Sequence, residues 1–306
     1  MECDCGVGVR AVQAGQRFDT AEFGGCGEAE HRAGVYSSYS IVRAETILEG
    51  IGCKREYNFV YSWKYSMNMK SLKMPRLLAL CIFILSSVGN LAGKFVGGHI
   101  LAMCTKPLIV PSLALFCWLL LKENDVRGCK VATLMLAMAF GTLGDVLLMF
   151  SGQNFFLAGL FAFLIGHLFY LCTIPYPDKN GHKRIFSFVI LALLITIMSI
   201  ASQLFAVKGF MGMCVTAYAC VFAFVIHAGI MAAIETKSRL YVVTVIGYVL
   251  FVISDTILAT GVFTDLKVPM RGFWVMLTYI LAQFLIAVSL TKEEIRKHLM
   301  INASAN

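Results

Sequence analysis

The sequence predicts an all-α protein, a polytopic membrane bundle of eight transmembrane helices. Of its 306 residues, 58% are hydrophobic and 14% are charged, and the mean hydropathy is +0.76. These values exclude an ordinary soluble domain. Continuous apolar runs, in place of short alternating strands, also exclude a membrane β-barrel. Each run has close to the roughly 20 residues that a helix needs to cross a bilayer. The runs are 77–95, 99–121, 130–150, 155–174, 185–206, 210–234, 240–260 and 273–290.

Composition divides the chain into three segments. Residues 1–75 are rich in Gly, Glu, Arg and Ser and show no lasting helical period, which predicts a largely disordered cytosolic extension. Residues 76–291 hold the eight runs and form the predicted transmembrane domain. Residues 292–306 are predicted to be a cytosolic C-terminal tail. The short loops predict that consecutive helices pack antiparallel.

The distribution of Lys and Arg predicts the orientation in the membrane. Basic clusters precede the first run and lie at every second loop, whereas the opposite side carries only Lys94, Lys208, Lys267 and Arg271. The positive-inside rule therefore places both termini in the cytosol. The endoplasmic reticulum is the expected membrane, although the organelle is left open. Since the net charge of +8 is spread over loops and forms no basic groove, we expect no nucleic-acid partner.

Two aspartates inside apolar runs are the main indication of chemistry. Asp145 is the only charged residue from Val131 to Phe150, and Asp255 is the only one from Ile246 to Thr260. A charged residue at that depth costs roughly 2.5–3.5 kcal/mol to insert, so it needs a reason to be there. Two nearby carboxyl groups in a low dielectric can divide into one acid and one base, as general acid–base hydrolysis requires. The alternative is a structural role, with each aspartate hydrogen-bonded to a neighbouring helix.

The two aspartates also suggest an internal repeat. They lie in spans three and seven, and each following span carries a polar residue near its middle, His167 and Gln283. This pattern suggests a 4+4 pseudo-repeat of two parallel halves, as in some transporters. A proton-coupled transporter of a small molecule or lipid is therefore the alternative function, and a receptor or structural lipid-binding protein is a further one.

Several other polar residues could support the aspartates. His167 and Tyr170 are three residues apart and share a helix face. Lys106 could neutralise an aspartate or bind a lipid phosphate, or its side chain could extend to the membrane surface. Asn90, Gln283 and Ser254 could donate hydrogen bonds behind the catalytic groups, or bond helix to helix.

The sequence lacks the known catalytic and metal-binding motifs that would predict a different function. The eleven cysteines lack metal-ligand spacing, so we predict no metal site and no cofactor. The sequence contains no GxSxG elbow, no HExxH and no Walker A motif. Serine hydrolase and zinc protease functions are therefore disfavoured.

Five fragments together resemble one family. They are Lys106-Pro-Leu, Gly-Asp145-Val-Leu-Leu, Gly-His167-Leu-Phe-Tyr170, Ser254-Asp255-Thr-Ile-Leu-Ala and Tyr-Ile-Leu-Ala-Gln283-Phe-Leu-Ile. In this order and in these spans they resemble the YhhN-type lysoplasmalogenase family of eight-span membrane proteins, over about residues 77–290.

The resemblance implies a specific activity. It is hydrolysis of the vinyl ether bond of lysoplasmalogens, which yields a fatty aldehyde and glycerophosphoethanolamine or glycerophosphocholine. Asp145 and Asp255 match the expected catalytic pair, although the sequence does not assign acid and base between them. Lys106, His167 and Tyr170 would orient the carboxylates or bind the phosphodiester. The implied partners are the lysophospholipid substrate and the bilayer; a monomer and a homodimer both stay open.

Overall fold

Eight helices form the part of the chain that the structure describes. The computed structural model describes residues 74–175, 181–203, 205 and 209–305. All eight helices are long and apolar enough to cross a membrane, which confirms the predicted all-α architecture of eight spans. The predicted extension up to residue 73 lies outside the described residues, as does Lys208. The helices are α1 Met74–Val96, α2 His99–Glu123, α3 Cys129–Leu147, α4 Gln153–Thr173, α5 Gly181–Gln203, α6 Gly209–Thr236, α7 Arg239–Phe263 and α8 Arg271–Ala305.

The last helix is longer than the eighth apolar run. Residues 292–305 of the predicted cytosolic C-terminal tail continue α8 without interruption to Ala305. Glu293 is buried in this extension, where Ser238 at the start of α7 donates a hydrogen bond to its carboxylate at 2.7 Å. Arg296 donates to the same carboxylate from Nε at 3.0 Å. These contacts bind the end of α8 to the bundle, so the helix continues beyond the apolar run.

The helices pack in consecutive pairs. α1 packs on α2, α3 on α4, α5 on α6, and α7 on α8; α8 also lies against α1, α2 and α3, and α4 lies against α6. In a 4+4 repeat the α2–α8 contact would correspond to the α6–α4 contact. The pseudo-repeat itself stays a prediction.

Glycines bring α3 and α4 close together beside Asp145. A Cβ atom at Gly144 would lie 2.8 Å from the ring of Phe163 in α4, and one at Gly166 would lie 3.0 Å from the carbonyl oxygen of Ala137. Small residues permit this close approach of membrane helices. Phe163 therefore packs directly on the residue before Asp145.

Candidate functional site

Three helices hold the Asp145 carboxylate. The residue lies in the last turn of α3 and is 3% exposed. The hydroxyl of Tyr279 in α8 donates a hydrogen bond to its Oδ2 at 2.6 Å, and Nζ of Lys106 in α2 lies 3.5 Å from its Oδ1. Nε2 of Gln283 in turn donates to the Tyr279 hydroxyl at 3.3 Å. Of the roles considered for Lys106, neutralisation of an aspartate is the one that this geometry favours.

Asp255 has different surroundings. It lies in α7 and is partly exposed, and the hydroxyl of Tyr218 in α6 donates a hydrogen bond to its Oδ2 at 2.7 Å. Among the residues that the structure describes, no Lys, Arg or His nitrogen forms an ion pair with it. It lines a cavity of about 110 Å³. Asp145 is thus paired with a cation, whereas Asp255 faces a cavity and has a phenol as its one side-chain partner among the described residues.

The two carboxyl groups lie in one neighbourhood. The rings of Phe163, Phe251 and Tyr279 pack together beside them, with centroid distances of 5.4 to 6.1 Å. Phe163 also lines the cavity of Asp255, and Tyr279 bonds Asp145. These aromatic rings therefore connect the cavity to the buried carboxylate.

The cavity beside Asp255 is mainly apolar and lies among α3 to α7. A second apolar cavity, of about 260 Å³, lies between α4 and α6, and Leu160 lines both. Such a lining suits a hydrocarbon chain and offers few hydrogen bonds. Besides Asp255 and Tyr218, the first cavity is lined by residues such as Leu148, Phe156, Phe163, Met198, Phe205, Phe222, Val252, Leu258 and Phe263.

His167 lies in an aromatic cage and bonds neither aspartate. Its ring centroid is 4.6 Å from that of Phe222, 4.7 Å from Phe251 and 6.2 Å from Tyr218. Within the described part of the chain, neither ring nitrogen has a hydrogen-bond partner, and the Tyr170 hydroxyl also lacks one. The sequence correctly placed His167 and Tyr170 on one face. The structure, however, brings His167 to the ring of Tyr218 and not to a carboxylate.

Asn90 and Ser254 join helices. Nδ2 of Asn90 donates to the carbonyl oxygen of Ala102 at 2.8 Å and so bonds α1 to α2. The Ser254 hydroxyl donates to the carbonyl oxygen of Val275 at 3.0 Å and so bonds α7 to α8. Of the three expected supporting donors, Gln283 alone reaches the site, through Tyr279.

The sequence model of the YhhN family matches residues 101–290. The chain belongs to the YhhN family. The matched range begins in α2 and includes both aspartates as well as the side chains that contact them, Lys106, Tyr218 and Tyr279. No curated protein and no solved structure matches the chain.

Two tyrosines of this YhhN-family site were not among the predicted residues. Tyr279 lies four residues before Gln283 on the same face of α8, so helical spacing could have identified it. Tyr218 shares no such spacing with Asp255, because the two lie on different helices. Only the packing of α6 on α7 brings them together.

Proposed function

We propose that this YhhN-family protein is a membrane-embedded hydrolase that cleaves the vinyl ether bond of lysoplasmalogens. The products are a fatty aldehyde and glycerophosphoethanolamine or glycerophosphocholine. The observation that carries the proposal is the unequal pair of aspartates. Asp145 lies beside the ammonium of Lys106, whereas Asp255 faces an apolar cavity without a cation partner among the described residues.

The surroundings support different roles for the two carboxyl groups. An ammonium 3.5 Å away stabilises the ionised form of Asp145. Without a cation, a carboxyl group in an apolar cavity is more stable with its proton, because burial of an unpaired charge is costly. Asp255 would therefore be the general acid, and Asp145 the general base and the stabilising anion.

The reaction balances with these two groups and one water molecule. Asp255 transfers its proton to the alkenyl carbon that is not bound to oxygen. The π electrons of the C=C bond form the new C–H bond, and the carbon that bears the ether oxygen becomes part of an oxocarbenium ion. The Asp145 carboxylate stabilises this cation and removes a proton from the water that attacks the carbon bearing the ether oxygen. The C–O bond of the resulting hemiacetal then breaks as the hemiacetal hydroxyl proton moves to the departing glycerol oxygen, which gives the aldehyde and the glycerol hydroxyl. The proton on Asp145 returns to Asp255, which restores both groups. Glycosidases use two carboxyl groups for a related cation.

The shape of the site suits such a substrate. The alkenyl chain would lie in the apolar cavity, with its first double bond next to Asp255. A saturated ether presents no carbon that a carboxyl group can protonate in this way. The enzyme should therefore distinguish alkenyl from alkyl and acyl lysolipids by chemistry as well as by binding.

An assay with paired substrates tests the proposal. Purified protein in detergent is given alkenyl and acyl lysophospholipids side by side, and aldehyde release is measured. Asp145→Asn and Asp255→Asn should each lower aldehyde release by roughly 10²- to 10⁴-fold. The matched control Asp265→Asn changes an exposed loop aspartate and should retain activity. Retained turnover in both site variants, or no aldehyde from the wild type, would refute the proposal.

The alternative is a carrier with the same membrane carboxylates. It predicts movement of lipid or proton across sealed vesicles with no chemical product. For the hydrolase we propose the endoplasmic reticulum membrane with both termini in the cytosol, on the basis of the Lys and Arg distribution.

A further inference from the structure

Two lysines converge on the end of the bundle that holds Asp145. Lys94 lies in the last turn of α1, and Lys106 lies two turns into α2. Side chains of a helix tilt toward its N-terminus. α1 and α2 run in opposite directions. Along the helix axis, the Lys94 side chain therefore tilts away from this end of the bundle, and the Lys106 side chain tilts toward it, so the two approach each other. Lys94 directly follows Gly93, and Lys106 lies about one turn after Ala102, where α1 and α2 are in contact.

Close contact of α1 and α2 fixes this arrangement. A Cβ atom at Gly93 would lie 2.9 Å from the backbone nitrogen of Ala102, so the two backbones nearly touch just before Lys94. Asn90 adds its hydrogen bond to the Ala102 carbonyl. The register of the two helices is therefore defined beside both lysines.

Lys94 is directed along the first turn of α8. A Cβ atom at Gly272 would lie 3.3 Å from Cδ of Lys94, 3.9 Å from Cε and 4.0 Å from Nζ. The outer part of the Lys94 side chain thus runs beside Gly272, whose missing side chain leaves it room. The N-terminus of a helix carries partial positive charge. The start of α8 and the Lys94 ammonium beside it therefore both attract an anion.

The positive charge at this junction is not fully neutralised. Among the described residues, Asp145 is the one carboxylate within 4 Å of either amine, and it pairs with Lys106 at a distance that is long for a hydrogen bond. Lys94 forms no ion pair in that part of the chain and is exposed. Two ammonium groups and the N-terminus of α8 therefore lie at one end of the bundle, where the described residues supply one carboxylate to pair with them.

We propose that Lys94, with Lys106, binds the phosphodiester headgroup of the lipid substrate. The inference rests on the proposed function and adds a binding site to it. The headgroup would lie at Lys94, the glycerol and vinyl ether would lie near Asp145 and Asp255, and the chain would fill the apolar cavity. Cationic groups, carboxyl groups and an apolar cavity thus follow one another along the site, as headgroup, vinyl ether and hydrocarbon chain do along the lipid. Lys94 precedes the residues matched by the family.

Binding of ligands that cannot be cleaved tests the site apart from catalysis. The probes are 1-O-alkyl-glycerophosphocholine and 1-O-alkylglycerol of equal chain length, bound to the purified protein in nanodiscs. Both are saturated ethers, and they differ by the phosphodiester headgroup. Wild-type protein should bind the phospholipid about 10- to 100-fold more tightly, as expected for charge-assisted hydrogen bonds.

Variants at Lys94 identify the residue responsible. Lys94→Gln should remove most of this preference and leave the Kd of the alkylglycerol unchanged, whereas Lys94→Arg should retain much of it. Lys267→Gln removes the same charge from an exposed loop at the same end of the bundle and should behave as wild type. Equal weakening of both ligands by Lys94→Gln would indicate a packing role and overturn the inference, as would equal affinities in the wild type.

Competition separates a headgroup site from a general anion site. Inorganic phosphate at millimolar concentration should displace the phospholipid only weakly, and less so after Lys94→Gln. Equal displacement from wild type and variant would show that the anion lies elsewhere and would refute the site. Aldehyde release by the wild type is measured separately. Failure of the hydrolase proposal would appear as absence of aldehyde, whereas failure of the headgroup site would appear in the binding of the uncleavable ligands.

Discussion

The contact between Lys106 and Asp145 predicts a measurable interaction energy. Two unit charges 3.5 Å apart attract by about 5 kcal/mol at an effective dielectric constant of 20. Desolvation of the two groups offsets much of this attraction. The Lys106 side chain is 17% exposed, which screens the pair further. For a cycle of Lys106→Met, Asp145→Asn and the double variant, we expect a coupling energy of about 2 kcal/mol.

Unfolding in mixed detergent and dodecyl sulfate micelles measures this energy. Each single variant leaves one charge of the pair without its partner, so the double variant should be more stable than the sum of the single losses predicts. Asp125 and Arg127 provide the control pair, since they lie 3.8 Å apart with side chains 83% and 87% exposed. Exposed pairs contribute little, so this cycle should be nearly additive. Additivity within about 0.5 kcal/mol for Lys106 and Asp145 would refute the ionised state assigned to Asp145.

Two further predictions concern the neighbours of the aspartates. Tyr218→Phe removes the hydrogen bond to Asp255 and should lower aldehyde release about 10- to 100-fold without loss of fold. The control is Tyr241→Phe, which should retain the wild-type rate because the buried Tyr241 hydroxyl has no partner among the described residues. Equal rates for the two variants would contradict the role of Tyr218. Gly144→Ala places a Cβ atom 2.8 Å from the Phe163 ring, and this overpacking should lower the free energy of unfolding by about 1–3 kcal/mol in the same assay. An unchanged free energy of unfolding would show that the ring moves aside at no cost.

The spans and the two aspartates could be predicted because the membrane restricts both. Bilayer thickness sets the length of an apolar run, so the eight spans are visible in hydropathy alone. A single carboxyl group in such a run is conspicuous because its insertion is costly. Neither inference needs knowledge of which helices pack together.

The sequence did not single out the partners of the aspartates, because their contacts depend on that packing, although the spacing from Gln283 could have indicated Tyr279. The sequence left three roles open for Lys106, and only the position of α2 against α3 brings its amine to Asp145. Tyr218 is one of four Phe and Tyr residues in the apolar helix α6. The extension of α8 escaped prediction for the same reason, since contacts of Glu293 with Ser238 and Arg296 continue the helix after hydropathy falls.

The difference between the two partners explains how similar aspartates could perform opposite roles. In the predicted repeat, α2 corresponds to α6 and α3 to α7, so each aspartate receives a partner from the helix that precedes it. That partner is an ammonium for Asp145 and a phenol for Asp255. Two carboxyl groups with identical partners would have similar affinities for a proton, and neither would be a committed acid or base. Both carboxylates accept a hydrogen bond from a tyrosine, so the ammonium of Lys106 beside Asp145 is what removes that equality. The same lysine also brings positive charge toward the proposed phosphodiester site, so one residue would serve both the base and the headgroup.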